Sequence, residues 1–289
     1  MEHLLRDVIE QATEILLKEG IEDAPIDVWL LAESELSITK QKYYMNMRMT
    51  IDDEQYIRYM AKVEMRKKRI PLQHITGCQE FMGLMFKVNE YVLIPRQDTE
   101  LLVEKTIEAV NKLRKVKKNE KIHILDMCTG SGCIAISLAK LCDNVIVTAV
   151  DISKEALSVA KENARLNDVE GSITFIKSDL FDKVNEKFDV IVSNPPYIPT
   201  QVIMGLEEEV RIHEPMLALD GSEDGLLFYR KITEQADKYL RDDGYVLYEI
   251  GYDQGKEVSC LLRNIMPCVK VYKDLAGNDR VVTSGKEEL

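Results

Sequence analysis

The sequence predicts an α/β protein: a mostly parallel sheet with helices on both faces, preceded by a small helical bundle and a hairpin-like connector. Three observations predict it. From residue 121 onward strand-like apolar runs alternate with segments of helical spacing, the pattern of a parallel sheet wound with helices. Residues 1 to about 70 repeat apolar positions at three and four, with no strand-like alternation. The chain has 289 residues, 45% of them aliphatic or aromatic and 30% charged. Against about 150 residues per domain that is a soluble globular chain of two domains, with core enough to need no staple.

Taken in order, Leu4, Leu5, Val8, Ala12, Ile15 and Leu16 form one apolar helical face, and Gly20 ends that helix. Pro25 suits the first turn of a second helix carrying Val28, Trp29, Leu31 and Ala32. Thr50 and Asp53 offer a capping box for a third, which ends before Pro71. In 72–95, Gly77, Gly83 and Asn89 punctuate short apolar runs, which reads as a hairpin-like connector. A helix over about 97–113 follows, then a charged loop, RKVKKNEK, read as solvated. Beyond it come the strands KIHILDMC, NVIVTAVD, SITFIKSD, FDVIVSN and GYVLYEIG with helices between and after them, and a closing strand pair, VKVYKDL and RVVTSG. The predicted domains are 1–72, a hairpin connector 73–95, and 96–289.

The 38 basic and 50 acidic residues leave a net charge of -12. That argues against affinity built on neutralising a long duplex, so direct nucleic-acid binding is not expected. The two predicted parts divide as 11 basic to 14 acidic residues over 1–72 and 27 to 36 over the rest, so neither is basic. The one concentrated patch is Arg58, Lys62, Arg66, Lys67, Lys68 and Arg69, which suits either a helix C-terminus or a partner contact. No stretch approaches the ~20 apolar residues of a membrane span, and the acid-rich start is not a signal peptide. Cys78, Cys128, Cys133, Cys142, Cys260 and Cys268 form no CxxC, and the four histidines are scattered. Reduced thiols, a cytoplasmic location and no metal are expected.

In parallel sheets of this kind ligands bind beyond the carboxyl ends of the strands, where the topology switches. Two motifs fall there. The first strand ends in Asp126-Met127-Cys128-Thr129-Gly130-Ser131-Gly132, whose glycines allow a tight turn and close approach to a ligand. The second ends in Asp151, placed to accept from a ribose diol. Asp179 ends the third, and Leu180 and Phe181 after it are apolar enough to sandwich a flat base. Together these suit an adenosine-bearing ligand better than a bare strand-to-helix turn. The second motif, Asn194-Pro195-Pro196-Tyr197, follows the fourth strand. An NH2 group conjugated to a carbonyl or ring is a poor nucleophile. Methylating it requires acceptors on both N–H bonds and a lone pair turned toward the methyl donor. The Asn194 side-chain oxygen is one acceptor, the Pro195 carbonyl the other, and the Tyr197 ring a flat face against the planar group.

With these motifs the chain resembles an S-adenosylmethionine-dependent methyltransferase of the seven-stranded Rossmann-like class, and within it the release factor glutamine methyltransferase family (PrmC, also called HemK). The matching segments include ILDMCTGSGCIAISLA, AVDIS, SDLF, VSNPPYIP, HEPMLALDGSEDGLLFYRKI, YEIG and DLAGNDR, running from about residue 71 to the end. The resemblance implies a donor site at Cys128–Gly132, Asp151, Leu180 and Asn194, and a glutamine site at Asn194–Tyr197. It also implies Arg96, Thr99 and Glu100 near the donor's methionine end. Cys128 stands where the family commonly has Gly, Leu180 where some members have Trp, and Gln97 replaces a frequent Pro. The implied reaction is in-line methyl transfer to the amide of the GGQ glutamine of peptide chain release factors, with the helical domain as docking module and no general base. Adenine or cytosine amino groups and a non-catalytic donor sensor are the rival readings. A base methylase would have to flip its base and grip phosphates, and the intact Asn194–Tyr197 motif speaks against the sensor.

Overall fold

The computed structural model describes residues 2–118 and 120–289. Met1, at the head of the predicted first domain, and Asn119, in the predicted charged loop, lie outside the described residues. The chain divides into two compact units, one of residues up to Gly77 together with Glu207–His213, the other of Cys78–Leu206 and Glu214–Leu289.

The first unit is helical. It contains α1 (Leu5–Lys18), α2 (Ala24–Leu36), α3 (Lys40–Met45), α4 (Asp53–Lys67) and α5 (Leu72–Thr76). Leu5, Val8, Ala12 and Leu16 of α1 pack with Val28, Leu31 and Ala32 of α2 and Tyr59 and Val63 of α4 in one buried cluster. The helical periodicity of the sequence is the burial pattern of this core. One feature it did not predict is a ribbon of two three-residue strands, β1 (Glu2–Leu4) and β2 (Thr50–Asp52), too short to show alternation. The ribbon takes up Thr50, so the capping box of α4 is made instead by Asp52 and Gln55, each side chain bonded to the other's backbone N–H. The basic patch of α4 is engaged within the unit: Arg58 with Glu35 and Glu54, Lys62 with Glu35, and Arg66 with Asp27 at 2.6 Å and Glu209 at 3.0 Å.

The second unit opens with a hairpin, β3 (Cys78–Phe81) and β4 (Leu84–Lys87). Its two turn residues, Met82 and Gly83, both have positive φ, as a two-residue hairpin loop demands. Next comes α6 (Asp98–Lys117), which runs four residues past the predicted end. Arg114, Lys115 and Lys117 form its last turn rather than a loop, because long cations are good helix formers and oppose the negative C-terminal end. Then follow β5 (Ile122–Met127), α7 (Cys133–Leu141), β6 (Val145–Asp151), α8 (Lys154–Leu166), β7 (Ile173–Lys177) and β8 (Phe188–Ser193). Three short helices follow: α9 (Thr200–Ile203), α10 (Glu208–His213), which belongs to the first unit, and α11 (Met216–Leu219). The chain closes with α12 (Leu227–Tyr239), β9 (Leu240–Glu249), α13 (Gly255–Arg263), β10 (Cys268–Lys273) and β11 (Asp279–Gly285).

Among the described residues the main sheet has seven strands in the order β10-β11-β9-β8-β5-β6-β7, with the last five parallel and β11 antiparallel to both its neighbours. The chain moves outward from β5 through β6 to β7, then returns to place β8 on the other side of β5. The switch point therefore lies between β5 and β8, above Met127 and Ser193, which are paired in register. Both faces are covered, so every residue of β8 is buried. No helix among the described residues is long and apolar enough to cross a membrane.

At the opposite edge of this pair the fully buried Asp189 accepts from the backbone N–H of His123 at 2.8 Å and from Arg241 at 2.8 Å, and also pairs with Lys117. Asp189→Ala would strand the His123 donor and two cations. We expect a loss of about 1–3 kcal/mol, read as a lower urea midpoint at unchanged m-value. An unchanged midpoint would show that the cluster is idle.

Candidate active site

The exit from β5 is a turn of residues in unusual backbone conformations. Cys128, Gly130 and Gly132 have φ of 64°, 55° and 81°. The first value explains why glycine suits position 128: a side chain there costs about 1–2 kcal/mol. Burial, with Asp151 and Asp126 nearby, pushes the Cys128 thiol far up, so it is an unreactive neutral group. Gly132 stands against α8, where an added Cβ would lie 3.0 Å from that of Ala160. Gly130 faces open space.

Buried polar groups hold the turn. Asp126, fully buried, accepts from Thr129 Oγ1 at 2.5 Å and from the Ala135 N–H at 3.2 Å through one oxygen, while the other has no partner. Burial pushes its pKa up to about 7, against those two hydrogen bonds. Asp151 accepts from the Gly130 N–H at 2.8 Å with one oxygen and from the Ser153 N–H at 2.9 Å with the other. Each oxygen keeps a second lone pair. Asn163, also fully buried, bonds the Lys87 backbone on the hairpin and the Ser131 carbonyl on the turn. In the sequence Asn163 is one polar position of a helical segment, and nothing local marks it as a bridge.

Beside this turn lies a cavity of about 320 Å³. Of the predicted site residues, Cys128, Thr129, Gly130, Ser131, Asp151, Asp179, Leu180, Asn194, Pro196, Arg96 and Thr99 line it. Gly132, Pro195 and Tyr197 are not in the lining, although Pro195 and Tyr197 flank two residues that are. Two expectations need correction. Phe181 turns away: it is 1% exposed and stacks on Tyr239 with ring centroids 4.5 Å apart. Leu180, at φ 44°, reverses the local direction and sends the next side chain into the core. Glu100 is also outside the cavity, its carboxylate accepting from the Met82 N–H at 2.7 Å to hold the hairpin turn. Ile152, Tyr91, Phe228 and Lys231 line the cavity without having been predicted. They come from loops and a helix whose local pattern says nothing about where they meet.

Asn194 sits where β8 ends, and its Nδ2 donates to Thr99 Oγ1 at 3.3 Å. Arg96 reaches Glu214 at 2.5 Å, a carboxyl whose pKa burial pushes up. The chain after Asn194 is held by a second loop. Ile198 donates to the Leu219 carbonyl and Gly221 to that of Ile198, at 3.0 and 2.9 Å. Gln254 donates to the Tyr197 carbonyl at 3.0 Å. An added Cβ would lie 2.8 Å from the Tyr197 Cα at Gly221 and 2.3 Å from the Tyr197 oxygen at Gly225. The DGSEDG glycines therefore let one backbone lie against another, which a string of turn residues does not reveal.

Two solved structures of the hMettl16 catalytic domain, in complex with MAT2A 3'UTR hairpins 6 and 1, superpose with TM-scores of 0.55 and 0.53 at 16% identity. The first covers 84% of this chain and 86% of that one, the second 92% and 93%. The likeness speaks to the fold alone. Residues 108–218 match the methyltransferase small domain and residues 7–77 the PrmC N-terminal domain. Fold and site thus define an α/β methyltransferase. Relatives named release factor glutamine methyltransferase are 41% identical in Fusobacterium nucleatum (97% of this chain, 78% of that one) and 39% identical in Clostridium acetobutylicum (96% and 97%). The chain belongs to the release factor glutamine methyltransferase family.

Gly225 has φ +73° as well as the close approach to Tyr197. Gly225→Ala should destabilise by about 1–3 kcal/mol, whereas Gly171→Ala, where an added Cβ meets nothing within 4 Å, should stay within about 0.5 kcal/mol. Chemical denaturation of the pair checks this. Equal midpoints would mean that the loop yields without strain.

Proposed function

We propose that this protein transfers a methyl group from S-adenosylmethionine to the side-chain amide nitrogen of the GGQ glutamine of peptide chain release factors. One observation carries the reading. In a chain of this family, Asn194-Pro195-Pro196-Tyr197 leaves the switch-point strand directly beside the cavity.

The cavity suits the donor. Gly130 leaves room at the turn, Asp151 has lone pairs to spare for a diol, and Leu180 and Ile152 supply apolar walls. Cys128 to Ser131, Asp151, Asp179, Leu180 and Asn194 are the residues we assign to it, with Arg96 and Thr99 toward its amino-acid end; Gly132, expected among them, packs against α8 instead. When bound, S-adenosylmethionine supplies an electrophilic methyl group. The chain's own task is to prepare the nucleophile. Asn194 Oδ1 accepts one N–H of the glutamine amide and the Pro195 carbonyl accepts the other. With both bonds held and the plane of the amide against Tyr197, the nitrogen lone pair is aimed at the cavity. These hydrogen bonds strengthen as the nitrogen becomes tetrahedral and its N–H bonds more acidic, which favours the transition state over the ground state. The proton leaves after transfer, and no general base is needed.

The helical unit is the docking module in this reading. It exposes Ile26 (60%) and Leu30 (42%), one turn apart on α2. Ile26→Ser with Leu30→Ser should raise KM for whole release factor several-fold while leaving kcat/KM for a short glutamine peptide unchanged. An equal loss on both substrates would refute docking there.

Mass spectrometry of release factor after incubation with enzyme and donor tests the main reading: the GGQ peptide gains one methyl on glutamine, and a Gln-to-Ala release factor and duplex DNA gain none. Methyl found only in DNA would replace this reading. Asn194→Ala should leave donor affinity within a few-fold and lower turnover by ~10²-fold or more. Unchanged turnover would contradict the role of Asn194.

A further inference from the structure

We propose that Gln254 is a positioning residue for methyl transfer: by clamping the Tyr197 carbonyl it fixes the direction in which the Asn194–Tyr197 segment presents the Pro195 carbonyl and the Tyr197 ring. The inference rests on the reading of that segment as the amide site and asks what holds its far end. The near end is held by strand pairing. Ser193 is in register with Met127 on β5 and Tyr248 on β9, and its Oγ donates to the Met127 carbonyl at 2.6 Å. Beyond it Pro195 and Pro196 have no N–H to donate, and their rings lock φ but leave ψ free. The direction of a carbonyl follows ψ, so the Pro195 oxygen is aimed only if the chain is anchored again further on. Gln254 supplies that anchor, its Nε2 donating to the Tyr197 carbonyl at 3.0 Å.

The Gln254 amide can face only one way. Its Oε1 accepts from the Gly251 N–H at 2.9 Å, and a backbone N–H cannot accept. The other end therefore carries the NH2. That NH2 meets two carbonyls, Tyr197 at 3.0 Å and Gly225 at 3.4 Å, and carbonyls only accept. One side chain thus joins the Asn-Pro-Pro-Tyr segment to the DGSEDG loop packed behind it, and every contact agrees on its orientation. The loop is built for this approach: a Cβ at Gly251 would lie 3.0 Å from Gln254 Oε1.

Local stability does not account for a glutamine here. Gln254 is the N-cap of α13, a position where Ser, Thr, Asp or Asn would bond the helix's own free N–H groups. Gln254 makes no such bond. Its side chain is buried and turned instead toward Tyr197 and Gly225. It is also absent from the cavity lining, so it is not a donor contact. What remains for it is the geometry of the segment that receives the glutamine amide.

The test is Gln254→Glu in the full chain, which keeps the size of the side chain and puts an acceptor where the NH2 stood. At about pH 8 kcat for release factor and for a short glutamine peptide should fall at least about tenfold, the scale of a misaligned reacting group. Donor affinity, read by calorimetry, should stay within about twofold. Acidification protonates the introduced carboxyl, which regains one donor, and burial between two carbonyls raises the pH at which this happens. The ratio of variant to wild-type kcat should therefore climb as the pH falls, whereas a lost packing contact would leave it flat. The Tyr229 hydroxyl, 3.5 Å from Oε1, and Tyr197 face this position, both phenols pushed far up by burial. Glu249, Asp253 and Asp279 on the adjoining segments are common to both proteins, so the ratio cancels them. Gln254→Asn, one methylene shorter, keeps the amide and can cap α13 but cannot bridge; its kcat should fall at least about fivefold with donor affinity unchanged. It decides if Gln254→Glu does not fold. Wild-type kcat in either variant, a matching loss of donor affinity, or a flat ratio overturns the proposal. The functional reading fails differently: wild type would then leave release factor glutamine unmethylated. A wrong clamp would instead show as equal methylation by wild type and the Gln254 variants while Asn194→Ala loses it.

Discussion

Strands β5 and β8 lie side by side in parallel, although β6, α7, α8 and β7 intervene in the chain. Because Met127 and Ser193 are in register, the backbone leaves both strands at one level. One exit becomes the glycine-containing turn and the other the Asn-Pro-Pro-Tyr segment, so two motifs remote in sequence face a common cavity. Ser193 Oγ donates to the Met127 carbonyl at 2.6 Å and ties the two exits together. A slip of one residue in this pairing would turn the inward side chains outward. It would also carry Asn194 away from the turn. The full burial of β8 and the Asp189 cluster at its other end both resist that slip.

The cavity lining and the strand ends behind it hold strained and incompletely satisfied groups that the rest of the structure must support. Cys128 and Leu180 both sit in the left-handed region without being glycine. Asp126 and Glu249 are fully buried acids, each with an oxygen lacking a partner. Such features persist only where surrounding contacts over-determine them. Here the surroundings supply that support: the α7 and α8 packing at Gly132, the Asn163 bridge between hairpin and turn, and the Gln254 bond to Tyr197. The hairpin is thus part of the site's scaffold even where its side chains are far from the chemistry.

Much of this is legible in the amino-acid sequence itself. Buried parallel strands read as continuous apolar runs, and each predicted strand of the main sheet appears within a few residues of its expected place. Misplacements fall where a tertiary contact outweighed a local preference. Thr50 makes a good cap in isolation, but pairing with Leu4 draws it into a ribbon and shifts the cap to Asp52. Phe181 follows Leu180 in sequence, yet one left-handed residue between strand and loop decides that only the first faces the cavity. Glu100 shares a helix with Thr99 but points to the hairpin, because adjacent residues on a helix lie about 100° apart.

The sequence by itself determined the fold class, the order of strands and helices, the helical first unit, and the two chemistry-bearing motifs. Periodicity and short motifs are local, and these properties depend on neighbours along the chain. Only the tertiary structure decided which residues of those motifs line the cavity. It brought Thr99 to Asn194, set Gly221, Gly225 and Gln254 behind Tyr197, and placed Asn163 between hairpin and turn. The physical reason is that strand register and helix rotation set the direction of a side chain in space, and both are settled by long-range packing and pairing.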